Sequence, residues 1–168
     1  MIQFTIHCEN PASQFIQLEL LLHIDESEQV TLQLPAWRAG RYQLANYAQN
    51  IRGFEIINPK GLPTKFTKTS KDRREFSAEV AGKYRIRYEY FCGKMDAGSC
   101  WADDEQVYLN LVNCCFEVIG RAEEKFRVEL DLPQYPAQIS TLIPVSDSIW
   151  HAENFQMLAD STILASKK

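Results

Sequence analysis

Apolar and polar residues alternate at every second position through most of this 168-residue chain, and no other sequence feature limits its fold as strongly. The apolar members of the clearest sets are Ile2, Phe4 and Ile6; Ile16, Leu18, Leu20 and Leu22; Val30, Leu32 and Leu34; Tyr84, Ile86, Tyr88 and Tyr90; and Phe126, Val128, Leu130 and Leu132. Successive side chains of a β-strand point to opposite faces of a sheet. Each set therefore predicts a strand with one buried face and one solvated face.

Turn residues separate these segments at intervals of about eight to twelve residues, which is typical of a β-sandwich or barrel. Residues 58–61 (Asn-Pro-Lys-Gly) and residues 81–83 (Ala-Gly-Lys) each predict a hairpin connection. A helical pattern occurs at 44–51, where Leu44, Tyr47 and Ile51 share a face. We therefore predict an all-β fold, an antiparallel β-sandwich or partly open barrel of about ten strands with at most one short helix.

The length and composition predict one domain with one core. A chain of 168 residues that is 45% hydrophobic has enough apolar surface to fold without disulfides or metal. Residues 159–168 lose the hydrophobic pattern and end in Ser-Lys-Lys. We predict a β-sandwich domain over residues 1–158 and the beginning of a linker over residues 159–168.

Charge, hydropathy and cysteine usage exclude several classes of partner. The net charge of −4 gives no electrostatic reason to bind nucleic acid, and no apolar run reaches the roughly 18 residues of a membrane-spanning helix. The N-terminus has neither the positive region nor the apolar stretch of a secretory signal. An odd number of cysteines suits a reducing compartment, and these are Cys8, Cys92, Cys100, Cys114 and Cys115. We expect a cytoplasmic location unless a leader has been removed.

Residue patterns that carry catalysis or metal binding are missing from the sequence. His7, His23 and His151 are far apart, so there is no His-Glu-x-x-His zinc helix. There is also no Cys-x-x-Cys pair. Four cysteines could converge in the fold, but a buried thiol usually serves as a small apolar group. We predict neither a catalytic residue nor a metal ligand in this chain.

The segment 34–42 (Leu-Pro-Ala-Trp-Arg-Ala-Gly-Arg-Tyr) places large aromatic residues in a loop. Trp37 and Tyr42 either cap one end of the core or form a docking surface. The segment resembles the N-terminal domain of glycyl aminopeptidase-like zinc metallopeptidases, a thermolysin-like family. In that family, the signature Leu-Pro-x-Trp-x-Pro-Gly-x-Tyr precedes a second motif, Asp-Phe-Ala-x-Asn-Ile. The counterpart of the second motif in this chain is 47–51. The resemblance continues through 86–90 and 108–110, although residues 38–39 and Asn46 depart from the family pattern.

The resemblance implies a non-catalytic N-terminal domain of a zinc aminopeptidase. The zinc would lie in a catalytic domain of the same polypeptide, outside these residues, and a peptide would be the substrate of the whole enzyme. The β-domain would pack on that catalytic domain and border the substrate cleft. An isolated fragment would expose the covered patch and associate into dimers. The candidates for the cleft or interdomain surface are Trp37, Tyr42, Tyr47, Tyr108, Asn110 and Asn113. The alternative is an independent peptide- or carbohydrate-binding β-sandwich module.

Overall fold

Fifteen β-strands make up most of the part of the chain that the computed structural model describes, residues 1–36 and 45–168. The strands are β1 (Ile2–His7), β2 (Phe15–Ile24), β3 (Glu28–Gln33), β4 (Ile51–Ile57), β5 (Thr67–Ser70), β6 (Arg73–Ala78), β7 (Gly82–Phe91), β8 (Trp101–Ala102), β9 (Gln106–Asn110), β10 (Glu117–Val118), β11 (Phe126–Asp131), β12 (Ala137–Ser140), β13 (Ile143–Ser146), β14 (Ile149–Ala152) and β15 (Thr162–Ser166). Helices are α1 (Leu111–Cys114), α2 (Phe155–Ala159) and the 3-10 turns Pro11–Ser13 and Tyr47–Asn50.

The strands of the described residues form one large sheet and two small ones. The large sheet has seven strands in the order β13-β14-β11-β1-β2-β7-β4. The small sheets have four strands each, in the orders β10-β3-β6-β5 and β12-β15-β9-β8. Neighbouring strands run antiparallel except for β1 and β11, which pair in parallel from Ile2 and Phe126 onward.

The three sheets share one hydrophobic core. Alternate residues of β1, namely Ile2, Phe4 and Ile6, have no exposed surface, as the sequence alternation requires. Val30 of β3 and Leu109 of β9 belong to the same buried cluster, so both small sheets turn an apolar face toward it. This sandwich-like arrangement confirms the predicted all-β fold.

Strand and helix numbers differ from the sequence-based expectation. The described residues contain fifteen strands rather than about ten, because several strands are only two to four residues long. They also contain two α-helices of four and five residues. The helical pattern expected at 44–51 corresponds to the 3-10 turn Tyr47–Asn50, and Leu44 lies outside the described residues. Within the described ranges, no helix has the length and apolar character needed to cross a membrane.

The C-terminal residues differ from the expected linker. Residues Thr162–Ser166 form β15, which pairs with β9 on one side and β12 on the other. Ile163 and Ala165 are buried on its inner face, a short period-two pattern that the sequence analysis overlooked. The β-fold therefore extends at least to Ser166.

Gly82, the first residue of β7, lies too close to Pro59 for a side chain. We expect Gly82→Ala to lower the free energy of unfolding by about 2–3 kcal/mol. Its φ of +131° is unfavourable for a side chain, and an added Cβ would lie 2.8 Å from the Pro59 ring. Gly61→Ala is the matched control, because φ there is +81° but no atom lies within 4 Å of the added Cβ. For the control we expect the free energy of unfolding to fall by about 1 kcal/mol. Denaturant unfolding measures both, and equal losses would contradict a role for the Pro59 contact.

Candidate functional site

The loop formed by residues 93–100 connects β7 to β8 and is closed at its base by backbone hydrogen bonds. Ala102 N donates to Cys92 O at 2.9 Å and Lys94 N donates to Cys100 O at 3.2 Å. At the tip, the Asp96 carboxylate accepts a hydrogen bond from Gly98 N at 2.9 Å. This bond contributes, together with others at the tip, to a lowered pKa of the Asp96 carboxyl; the largest contribution is a hydrogen bond from the Ser99 side chain. The loop is thus a tight, self-bonded turn.

Three of the candidate side chains hold the 93–100 loop from below. Tyr108 Oη donates to Ala97 O at 3.3 Å, and Asn110 Nδ2 donates to Ala97 O at 3.1 Å and to Ser99 O at 2.6 Å. Asn113 Nδ2 donates to Gly98 O at 3.1 Å. Asn110 and Asn113 are each only 2% exposed. Their amide nitrogens therefore position the loop and find their acceptors in it.

Local sequence explains why these side chains meet. Tyr108 and Asn110 lie two residues apart on β9 and point to the same face. Asn110 is also the last strand residue before α1, and the turn of that helix brings Asn113 under the same loop. Leu111 N donates to Ser161 O at 3.1 Å, which fixes the strand-to-helix junction against the segment before β15.

An open depression of about 680 Å³ lies between the 93–100 loop and the 3-10 turn Tyr47–Asn50. Its lining from the described residues comprises Ala45, Asn46, Tyr47, Gln49, Asn50, Tyr90, Phe91, Gly93, Lys94, Gly98, Ser99, Cys100 and Asn113. Tyr47, a fourth candidate, therefore lines the same depression as Asn113. Among the described residues, Asn113 Oδ1 is a buried acceptor with no hydrogen-bond partner. Phe91 and Met95 add exposed apolar surface at this place, with 38% and 63% of their surface accessible.

Tyr90 forms part of the depression wall but has the character of a buried structural phenol. Asn50 Nδ2 donates to its hydroxyl at 3.1 Å. Burial raises the pKa of Tyr90 far above the ordinary value of a phenol, so the hydroxyl stays protonated at neutral pH. Tyr90 therefore does not supply a base.

Each of the three histidines lies beside a single carboxylate. His7 Nδ1 lies 3.1 Å from Asp131, while His23 and His151 each lie 3.2 Å from a carboxylate two residues away. These three pairs lie at the surface in different elements. In residues 1–36 and 45–168, no group of three or more His, Cys, Asp or Glu side chains could hold a metal ion. The described residues do not fit a zinc site.

The sequence analysis identified part of this site. Trp37 and Tyr42 lie outside the described residues. The lining residues Asn46, Gln49, Asn50, Lys94 and Ser99 were not predicted as site residues. The first three lie in or next to the family-like segment 47–51, but that resemblance does not show which of its side chains reach a depression. The closest signal was the pair Gly93 and Gly98 flanking Asp96, which indicates a turn but not its partner.

Similar arrangements of strands occur in larger metallopeptidases. The chain superimposes on an aminopeptidase N family protein from Idiomarina loihiensis with a TM-score of 0.88 at 22% identity, covering 99% of this chain and 29% of that one. An M1 zinc metallopeptidase from Deinococcus radiodurans matches with a TM-score of 0.52 at 10% identity, covering 98% of this chain and 41% of that one. The E323A mutant of an M1 zinc metallopeptidase from Deinococcus radiodurans, bound to a Tyr-Ser-Ala substrate, matches with a TM-score of 0.52 at 9% identity, over 98% and 41% of the two chains. The fold is thus that of a β-domain found within such enzymes.

Family membership follows from the sequence itself. The peptidase M61 N-terminal domain matches residues 3–167, nearly the whole chain, and the protein belongs to that family. No curated protein matches the sequence significantly. The chain spans less than half the length of each structural relative, 29% and 41% respectively.

The buried Asn110 amide is the main support of the 93–100 loop, and we expect Asn110→Ala to lower the free energy of unfolding by about 2–3 kcal/mol. The substitution removes two hydrogen bonds and leaves the Ala97 and Ser99 carbonyls without that donor. Hydrogen exchange of the Lys94 and Gly98 amides should also accelerate. Tyr108→Phe is the control, because it removes one longer bond to the same Ala97 carbonyl from a half-buried side chain. A loss as large for Tyr108→Phe as for Asn110→Ala would contradict this assignment.

Proposed function

We propose that this chain is the non-catalytic N-terminal domain of a zinc-dependent aminopeptidase. The main support is the family match over residues 3–167, combined with structural relatives that contain the whole fold as a minor part of a longer chain. In this proposal, peptide hydrolysis occurs on a catalytic domain of the same polypeptide. The zinc belongs to that domain, because the described residues do not supply a ligand set and relatives are zinc metallopeptidases.

The depression beside the 93–100 loop is our candidate for the surface that borders the substrate cleft. It combines amide side chains with a buried acceptor, Asn113 Oδ1, that has no partner among the described residues. A peptide has backbone N–H groups and a terminal ammonium group, and each of these can donate a hydrogen bond to such an oxygen. A relative has been solved with a Tyr-Ser-Ala substrate, which favours a peptide as the ligand of the whole enzyme.

Exposed apolar residues next to the depression favour packing against the catalytic domain. Phe91 packs its ring on Phe15 with centroids 5.2 Å apart, yet 38% of it remains accessible, and Met95 at the loop is 63% accessible. Separated from its partner domain, this surface would be available for self-association. We propose that the isolated chain dimerises through it, which sedimentation at increasing concentration would detect.

Asn46 offers a test of the cleft that leaves the fold unchanged. It is exposed and makes no capping hydrogen bond at the 3-10 turn. In the full-length protein, we expect Asn46→Ala to raise the KM for a peptide substrate about three- to tenfold with kcat little changed, since one hydrogen bond to bound substrate is lost. The control is Thr67→Ala, because Thr67 is exposed on β5 and lines a different depression. Peptide turnover over a range of substrate concentrations measures both. Unchanged kinetics for Asn46→Ala would remove this surface from the cleft.

An independent binding module is the competing function, and the 168-residue chain itself distinguishes the two. A peptide- or carbohydrate-binding domain would bind its ligand without a catalytic domain. Trp101 is a suitable reporter, because it is half-buried at the base of the 93–100 loop and its Nε1 donates to Asp103 at 2.8 Å. We expect neither peptides nor sugars at millimolar concentration to change the intrinsic fluorescence. A saturable change would favour the binding module.

Location in a reducing compartment, such as the cytoplasm, is part of the proposal. All five cysteines are buried and none forms a disulfide. Proteins of oxidising compartments usually pair their cysteines.

A further inference from the structure

Three cysteines from different elements converge beneath the depression. Cys92 follows β7 directly, Cys100 precedes β8 directly, and Cys114 ends α1. We refer to them as the thiol cluster. Their exposed fractions are 0%, 3% and 0%. They lie up to 22 residues apart in sequence, so the fold and not the local chain brings them together.

Hydrogen bonds define the geometry of the thiol cluster. Cys100 Sγ lies 3.7 Å from Asn110 O and Cys114 Sγ lies 4.0 Å from the same oxygen. The sulfurs of Cys100 and Cys114 therefore share one acceptor, the carbonyl oxygen of Asn110. Cys114 is thus the thiol that shares an acceptor with Cys100, whereas Cys92 Sγ lies 3.7 Å from Tyr90 O.

The thiols of the cluster differ in acidity. Hydrogen bonds from the thiols of Cys114 and Cys92 hold the pKa of Cys100 well below the usual range of a thiol. Burial and the bond to Cys100 raise the pKa of Cys92, while bonds to Cys100 and Cys115 raise that of Cys114. Cys100 therefore loses its proton first, and the thiolate is the nucleophilic form of cysteine.

Access distinguishes the three thiols in the same order. Cys100 lines the depression, whereas Cys92 and Cys114 are absent from its described lining. A small molecule entering the depression therefore meets Cys100 before the others. Cys100 is thus a buried thiol at the floor of an open depression with a second thiol behind it, and paired thiols of this kind recur in redox-sensing cysteines.

We propose that Cys100 is a site of reversible oxidation by peroxide and that Cys114 is its resolving cysteine. The Cys100 thiolate attacks one oxygen of hydrogen peroxide, the O–O bond breaks, and the released hydroxide takes a proton to become water. The product is a sulfenic acid at Cys100. Cys114 sulfur then attacks the Cys100 sulfur and displaces the hydroxyl group, which leaves with the Cys114 proton as a second water. Two thiols are oxidised to one disulfide while one peroxide is reduced to two waters, and a dithiol reductant reverses the bond by exchange. The bond ties the 93–100 loop to α1.

Peptide mapping of the reduced 168-residue chain after hydrogen peroxide treatment tests the proposal. Free thiols are alkylated after the treatment. Two cysteines that stay unalkylated, together with a mass loss of about 2 Da, identify the disulfide. Trypsin leaves Cys92 in fragment 88–94 and Cys100, Cys114 and Cys115 together in fragment 95–121. Chymotryptic cleavage between Trp101 and Leu111 then separates Cys100 from Cys114, so that the bridge alone joins the two pieces. We expect that joined species, and we expect dithiothreitol to remove it.

Variants identify the role of each sulfur. Cys100→Ser should abolish the bridge, whereas Cys114→Ser should leave Cys100 unresolved and allow it to proceed to sulfinic acid, a gain of about 32 Da. Cys8→Ser, outside the thiol cluster, is the control and should form the bridge at the wild-type rate. Circular dichroism checks that each variant is folded, and the mapping of wild-type protein is decisive if one is not. A bridge between Cys92 and Cys100, sulfinic acid at Cys100 of the wild type, or five alkylated thiols after treatment would each overturn the proposal.

Discussion

The pairing of β2 with β7 is the constraint on which the rest of the structure depends. The two strands pair over ten residues, from Phe15 with Phe91 to Ile24 with Gly82. Their inward faces bring Leu18 against Tyr88 and Leu20 against Ile86 in the centre of the core. A shift of one residue in this register would expose the whole inner set. The same register places the end of β7, and therefore the start of the 93–100 loop, beside the 3-10 turn Pro11–Ser13, where Cys92 N donates to Gln14 O at 2.7 Å.

Most of the fold could be predicted from the sequence because burial in a sheet leaves a period of two in the chain. The strands with complete alternation, such as β1 and β7, were identified with nearly their observed bounds. Connections between sheets were less predictable. Residues 81–83 follow β6 as a hairpin would, yet β6 pairs with β3 and β7 pairs with β2. A turn sequence sets the local backbone direction but does not determine which sheet receives the next strand. The parallel pairing of β1 with β11 likewise depends on residues 124 positions apart.

The candidate site was predicted only as far as strand geometry extends. Tyr108 and Asn110 were expected on one face of one strand, and the structure places both on the Ala97 carbonyl. Sequence alone does not indicate that this carbonyl belongs to a loop inserted before β8, since the contact depends on how that loop closes on itself. For the same reason the family-like segment at Asn46 and Gln49 did not indicate that these residues line a depression. The sequence analysis favoured separate apolar roles for the cysteines, because their convergence depends on how three elements are placed relative to one another.

Asn110 connects the loop, the thiols and the C-terminal strand. Its side chain donates to two loop carbonyls, its carbonyl oxygen accepts from Cys100 and Cys114, and its backbone pairs with Thr162 of β15. A buried amide destabilises a core unless its polar atoms find partners, and here the donors find them in the 93–100 loop, which Asn113 also holds from below. The polar residue therefore fixes one loop position where an apolar residue of similar size would leave several. A small buried polar cluster, rather than the hydrophobic core alone, therefore determines the shape of the surface beside the 93–100 loop.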